Sequence, residues 1–402
     1  MKNTKKRILW VSPLIFDLSF HRTAQLEVVA RLEKNGHNVF LLGMRSRATF
    51  KFQKYSYNDL PKPPRLLQVP IRYVSMIAPA IYALVMMLLV PITIFSFNPD
   101  FVIFEKGMLM ISSIPSIILS KFRRAKFILD IRSVPVEVEG FYGAFHKFWY
   151  KVSVLIAKKY FSGITIVTPM ERKDFCEKFS INPSQVGVWE NGADVKLFDP
   201  NVWFTEGKKL KAKLGLSGKF VVFYHGYLVS TRGLPEAIEA MRIIAKKRSD
   251  VVLFFLGSGP FVPSLKSLII EENLHNIVIL HDPVRYEQVP KFISMCDAGI
   301  SPTPNHPYFR FQSPLNILEY LSMEKPVLAT KFPLNTRILG NHECAIYISS
   351  VKPEAIAETI EYAANNKEKL RKWGKVGRTI ILSNYTWEKA AENLYNFIVS
   401  KT

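Results

Sequence analysis

The chain has 402 residues, 48% of them hydrophobic, which is enough for two ordinary domain cores. Its three cysteines (Cys176, Cys296, Cys344) show neither metal spacing nor an even disulfide framework, which argues against a zinc module and fits a reducing, cytoplasmic compartment. The formal net charge is +21, with 28 Lys or Arg against 15 Asp or Glu in residues 1–200 and 26 against 18 beyond, yet no zinc-finger spacing, RNP pattern or isolated helix-turn-helix supports nucleic-acid binding.

Lys2, Lys5, Lys6 and Arg7 precede an apolar run, Ile8-Leu9-Trp10-Val11, that is too short for a signal peptide and reads as a strand. A loop through His21 and Arg22, a helix from Thr23 to Asn35 and a strand from Asn38 to Leu42 follow, opening an α/β alternation. Residues 74–97 are 24 consecutive uncharged residues, long enough to span a bilayer. Pro79 and Pro91 interrupt them, and Asn98-Pro99-Asp100 leads directly into the strand Phe101–Glu105. This favours a helix that is buried or rests on a membrane over one that crosses it. Lys121, Arg123, Arg124 and Lys126 form a second basic cluster, so an anionic membrane surface is the functional reading of the charge and a solvated surface the plain one.

A strand over Lys126–Ile131 carries Asp130 at its end, with Arg132 just beyond and Glu137 and Glu139 after that. A strand over 163–169, closed by Thr168, and one over 186–189 flank another helix, and Glu190-Asn191-Gly192-Ala193-Asp194 forms a turn. Lys-rich polar sequence over 198–218 reads as a linker.

Beyond it, a strand Phe220–His225 is followed by Gly226, a polar loop, and Arg232-Gly233 opening a helix. Arg232 can pair with a diphosphate bidentately, or be a plain loop charge. Residues 251–260 are a buried strand ending in a turn that holds Gly257 and Gly259. Another strand reaches His281, with Val284 in the loop after it, and Ala298–Pro302 supplies a further strand end. Ser313 is predicted to cap a helix with Pro314 in its first turn, leaving N–H groups near Leu315, Asn316 and Ile317 free for an anion such as a pyrophosphate. Glu319 falls on the same helix face as Leu315 and Asn316, where a carboxylate can accept both hydroxyls of a ribose; the plain alternative is a solvated charge on an amphipathic helix. Val327–Thr330 then reads as a buried strand.

These residues resemble the retaining glycosyltransferases of family 4, which have the GT-B fold. Glu319 matches the ribose-holding glutamate of their paired-glutamate motif, in the branch with a Ser-Pro-Leu-x-x-x-Glu-Tyr pattern. The first glutamate falls at Phe311, Asn316 stands for a frequent lysine, Glu324 for a glycine, and Tyr227 for a second basic residue after Gly226. Gly226, Arg232, Gly257, Gly259 and Val284 match successive strand ends around the donor pocket, and Asn191-Gly-x-Asp with Phe198 and Pro200 matches the stretch that closes the first domain.

The resemblance implies two Rossmann-like parallel-sheet domains facing across a cleft: an acceptor domain over 1–198 with a C-terminal helix over about 385–402 crossing back, and a nucleotide-sugar domain over 199–384. It implies metal-independent transfer of a sugar from a nucleotide-diphosphate donor, with retention, to a glycan or lipid-linked acceptor, by a hexosyl- or related glycosyltransferase without a cofactor. Asp130 could orient the acceptor hydroxyl and Arg132 stabilise phosphate charge, or the two could form a structural ion pair. His21 and Arg22 could serve the phosphate or the acceptor, or the helix start and the surface, and Glu137 is an acceptor-side candidate. A peripheral position on the inner face of the membrane follows from the basic, apolar first half. An inactive or regulatory GT-B protein, an epimerase of similar fold and a membrane-surface adaptor are the other readings.

Overall fold

The computed structural model describes residues 5–15, 24–45, 51–52, 65–70, 77–120, 124–134 and 140–402. The chain divides into two compact units, Met1–Glu190 with Trp387–Thr402, and Asn191–Thr386.

The first unit is built on β1 (Arg7–Ile15), β2 (Asn38–Arg45), β3 (Lys51–Phe52), β4 (Arg65–Pro70), β5 (Phe101–Glu105), β6 (Lys126–Asp130), β7 (Gly163–Ile166) and β8 (Val186–Val188). They lie in the order β3-β4-β2-β1-β5-β6-β7-β8, parallel throughout except for the two-residue edge strand β3. The central strands are continuous apolar runs because both sheet faces are covered. Leu9, Val11, Val102 and Phe104 join one core, while Ile8, Trp10, Phe101 and Ile103, one residue out of phase, are buried on the opposite face. Its helices are α1 (Ala24–Lys34), α2 (Ile77–Phe97), α3 (Ser113–Ser120), α4 (Gly140–Tyr160) and α5 (Pro169–Phe179).

The uncharged stretch forms α2, which runs through Pro91 without ending. Tyr82, Met86, Val90 and Ile94 enter the core, and the Tyr82 hydroxyl donates to Ser12 O at 2.8 Å. The opposite stripe, Ile77, Ile81, Leu84, Leu88, Ile92 and Phe95, is exposed at helical spacing over the whole length of the helix. The helix is thus long and apolar enough to cross a membrane, yet one face of it packs on the sheet.

The second unit holds β9 (Phe220–Tyr227), β10 (Val251–Ser258), β11 (Val278–His281), β12 (Ala298–Ser301), β13 (Val327–Thr330) and β14 (Ala345–Ile348), all parallel in the order β11-β10-β9-β12-β13-β14. The order reverses between β9 and β12, and crevices at such reversals, outside the strands' carboxyl ends, are where open α/β sheets bind ligands. Its helices are α6 (Pro200–Lys213), α7 (Leu234–Ala245), α8 (Val262–Glu271), α9 (Val289–Met295), α10 (Leu315–Ser322), α11 (Pro333–Leu339), α12 (Pro353–Asn365) and α13 (Lys367–Asn384).

The stretch read as a linker is therefore largely helical. Asp199 accepts from Asn201 N at 2.9 Å as N-cap of α6, and Pro200 fills the first turn. The last helix, α14 (Trp387–Val399), belongs to the first unit, where Glu388 pairs with Arg31 of α1 at 3.4 Å. The Phe397 ring of α14 lies against Gly163 and Gly187, where a Cβ would overlap it.

Glu324 ends α10 in the left-handed region, at φ 55°, while Lys325 N donates back to Tyr320 O at 2.9 Å. This is the helix-end geometry that favours glycine, which accounts for the glycine of the resembling motif at this place. Glu324→Gly is expected to stabilise the fold by about 0.5–1 kcal/mol, read as a higher denaturation midpoint at unchanged slope. An unchanged or lower midpoint would show that the Glu324 side chain compensates the strain.

Candidate functional site

In the second unit the strand ends bring Gly226, Gly257 and Gly259 together. A Cβ on Gly257 would overlap Gly226 O, and one on Gly259 would overlap Leu228 O, so close backbone packing explains both glycines. Gly226 differs: at φ 125° it has no atom within 4 Å of where a Cβ would stand, so its backbone is open to a ligand. Arg232 stands in the loop before α7; burial raises the nearby Tyr224 hydroxyl, and the Arg232 charge pulls it back down. Val284 is half-buried in the loop after β11, packed against the core.

Glu319 is not a solvated charge. It is 2% exposed, one oxygen accepts from the Tyr286 hydroxyl at 2.6 Å, and His225 Nε2 lies 3.1 Å from the other without hydrogen-bond alignment. His225 is held in turn by its N–H, which donates to the Tyr320 hydroxyl at 3.1 Å. The Tyr286 bond takes one of a carboxylate's roughly four lone-pair sites, so Glu319 keeps acceptor capacity for further donors.

Ser313 does not cap α10. The helix begins at Leu315 with Pro314 as N-cap, whose ψ of 106° keeps it extended, and no side chain caps the end. The Ser313 carbonyl accepts from Asn191 Nδ2 at 2.8 Å, which fixes the residue outside the helix, and its buried hydroxyl has no hydrogen bond among the described residues. The first intrahelical bond runs from Leu318 N to Pro314 O, and Ile317 N donates to Asn316 Oδ1 at 3.0 Å. The Leu315 and Asn316 N–H groups therefore remain at the positive end of the helix, beside the Ser313 hydroxyl.

In the first unit, Glu105 and Asp130 are neighbours in register at the carboxyl ends of β5 and β6, both buried. One Asp130 oxygen accepts from Thr165 Oγ1 at 2.7 Å and from Trp189 Nε1 at 2.9 Å; the other has no hydrogen bond among the described residues. Arg132 donates to Trp189 O at 2.7 Å and lies 3.5 Å from the centre of that ring. Arg132 is thus seated on Trp189, with Asp130 close enough to feel its charge: burial raises the Asp130 carboxyl and Arg132 draws it down. Both carboxylates line a cavity of about 390 Å³ walled by α2 and by Tyr142, Phe145, His146, Trp149 and Tyr150 of α4. His21, Arg22 and Glu137 lie outside the described residues.

Burial, and then the charge of Asp130, push Glu105 up to about 7, although Gln25 Nε2 donates to it at 3.2 Å. Glu171, at the start of α5, is pushed by burial to about 7 as well. A carboxyl raised in the fold binds its proton more tightly there than in the unfolded chain. Stability therefore falls as pH rises through the window from about 4.5 to about 7. Glu105→Gln is expected to melt higher than wild type at pH 8 by an amount that largely vanishes at pH 5. Equal differences at the two pH values would contradict this.

His225, Tyr286 and Glu105 were not singled out by sequence. Glu105 carried a visible signal, a charge closing a wholly apolar strand, whereas Tyr286 reaches Glu319 only through tertiary packing.

Residues 207–380 match the model of the family described as glycosyl transferases group 1. Spore coat protein SA of Bacillus subtilis is 26% identical over 219 residues, 51% of this chain and 56% of that protein. The capsular polysaccharide biosynthesis glycosyltransferase CapM of Staphylococcus aureus is 24% identical over 196 residues, 46% of this chain and 48% of that protein. The chain thus spans about half the length of these curated relatives. The solved structure of HepE from Anabaena, in complex with UDP and glucose, superposes with a TM-score of 0.70 at 16% identity, covering 98% of this chain and 100% of that one. Two parallel-sheet, Rossmann-like units are the shared fold. The likeness to the glycosyl transferases group 1 family thus lies in residues 207–380, within the second unit.

Proposed function

We propose that the protein is a retaining, metal-independent glycosyltransferase of family 4 that moves a sugar from a nucleotide-diphosphate sugar to a lipid-linked or cell-surface glycan precursor. The observation that carries this reading is the start of α10, where two unbonded N–H groups and the Ser313 hydroxyl stand one turn from the buried, oriented Glu319. Leu315 and Asn316 N–H would hold the diphosphate and Glu319 the ribose, with Gly226 admitting the ligand to the backbone and Arg232 facing the phosphates. As the glycosidic bond breaks, charge gathers on the leaving diphosphate, and oriented N–H donors with an arginine stabilise it without a metal. That phosphate accepts the proton of the incoming hydroxyl, so no side-chain base is required.

In the first unit, Asp130 would orient the acceptor hydroxyl through its unbonded oxygen, and Arg132 would position Asp130. The bound UDP of HepE and the capsular role in the name of CapM support a nucleotide-sugar donor and a surface-glycan product. The exposed stripe of α2 and the lysines of α4 (Lys147, Lys151, Lys158, Lys159), a helix without acidic residues, support a peripheral place on an anionic inner membrane face.

Incubation with a panel of labelled nucleotide sugars and a bacterial membrane-lipid extract tests the reading. Label is expected in the lipid phase from one donor, with nucleotide released only when the extract is present. Nucleotide release independent of any acceptor, or none from any donor, would count against it.

A further inference from the structure

The cavity of the first unit has one cationic group that the fold itself does not use. Lys106 lines it, half-buried; among the described residues its ammonium has no hydrogen bond or ion pair, the carboxylates of Glu105 and Glu171 act on its charge only from beyond ion-pair distance, and the Tyr150 ring centre lies 5.8 Å from Nζ. Gly107 N donates to Ser153 Oγ of α4 at 2.9 Å, which fixes the turn that carries Lys106. In the same cavity stands the fully buried Asp130 oxygen that has no donor among the described residues. An ammonium with no hydrogen-bonded anion and a carboxylate oxygen with no donor, in a largely aromatic chamber, suit a ligand with both groups. The walls add a third requirement. Both α2 and α4 contribute side chains to the cavity and carry exposed apolar residues on their outer sides, Phe141, Phe148 and Leu155 recurring every seven positions on α4.

We propose that this cavity binds the head of an anionic glycolipid in which a phosphate joins a sugar to an apolar chain, with Lys106 on the phosphate, Asp130 on a sugar hydroxyl and the chain following the apolar faces of α2 and α4. This rests on the reading of the first unit as the acceptor side and names the acceptor's chemistry. A volume of about 390 Å³ holds a sugar phosphate but not a long chain, so the chain must leave along the helices. Lys106 serves binding at a distance from the bond being made, and is a specificity residue.

The test measures binding to the whole protein without donor, using three probes below their micelle concentrations: decyl phosphate, decyl maltoside and glucose 1-phosphate. Wild type is expected to bind decyl phosphate at least about tenfold more tightly than either of the others, and Lys106→Met to lose that preference over decyl maltoside. Desolvation holds the Lys106 ammonium down to about 8, so Lys106→Met is expected to melt no lower than wild type at pH 7. Lys106→Gln replaces it should the methionine variant misfold. Undiminished preference in the Lys106 variant would overturn the proposal, as would glucose 1-phosphate binding as tightly as decyl phosphate, which would identify a soluble phosphate ester as the ligand. Stabilisation by nucleoside diphosphates, measured in parallel, separates the two readings. Its absence alongside the expected probe pattern defeats the transferase and leaves the lipid site standing, and its presence without that pattern does the reverse.

Discussion

Glu319→Gln is expected to remove most of the stabilisation that a nucleoside diphosphate gives the protein. At a concentration about 100 times its dissociation constant, the ligand adds about 2.7 kcal/mol to wild type. Two charge-assisted hydrogen bonds from ribose to a buried carboxylate account for roughly 100-fold in affinity. With that lost, the same concentration adds only about 0.4 kcal/mol. Glutamine keeps one acceptor for the Tyr286 hydroxyl but turns an amide toward His225, so the unliganded fold should lose only about 1 kcal/mol. Thermal melts of both proteins with and without nucleotide separate the two effects. Equal nucleotide stabilisation in the variant would confine Glu319 to a structural role with Tyr286.

Asp130→Asn should act on the other substrate. Asparagine retains the oxygen that accepts from Thr165 and Trp189, and places an NH₂ group where the unbonded carboxylate oxygen stood. Transfer is then expected to fall by about 100-fold in kcat/KM for the acceptor, the scale of a lost hydrogen bond from the hydroxyl to a charged acceptor that orients it. Nucleotide stabilisation should be unchanged and the melting temperature equal or higher, because burial already disfavours the Asp130 charge. A fall in melting temperature with proportionate loss of transfer and of nucleotide stabilisation would reduce Asp130 to a support for Trp189.

Much of the fold and the donor-side framework was legible because parallel sheets buried on both faces write themselves as apolar runs. Phe220–Tyr224, Val251–Leu256 and Val327–Thr330 could hardly be anything else, and the glycines and Arg232 fall at their ends. Local chemistry was less secure. Ser313-Pro314 has the composition of a helix start, but the bond from Asn191, 122 residues away, holds Ser313 outside the helix. The lysines of 207–213 masked a helix whose Asp199-Pro200 start was in plain view. Least legible were the partners of known residues. Tyr286 and His225 around Glu319, and Glu105 and Lys106 beside Asp130, are assembled by strand register and helix packing, which leave no period in the sequence.

The most direct test of the central claim is a thermal melt of the wild-type protein with UDP, GDP and TDP in turn. One of the three is expected to raise the melting temperature in a concentration-dependent way, and its sugar conjugates to do so at least as strongly. If none of them, at millimolar concentration, shifts the transition, the start of α10 and Glu319 do not form a nucleotide site, and the transferase reading fails with it.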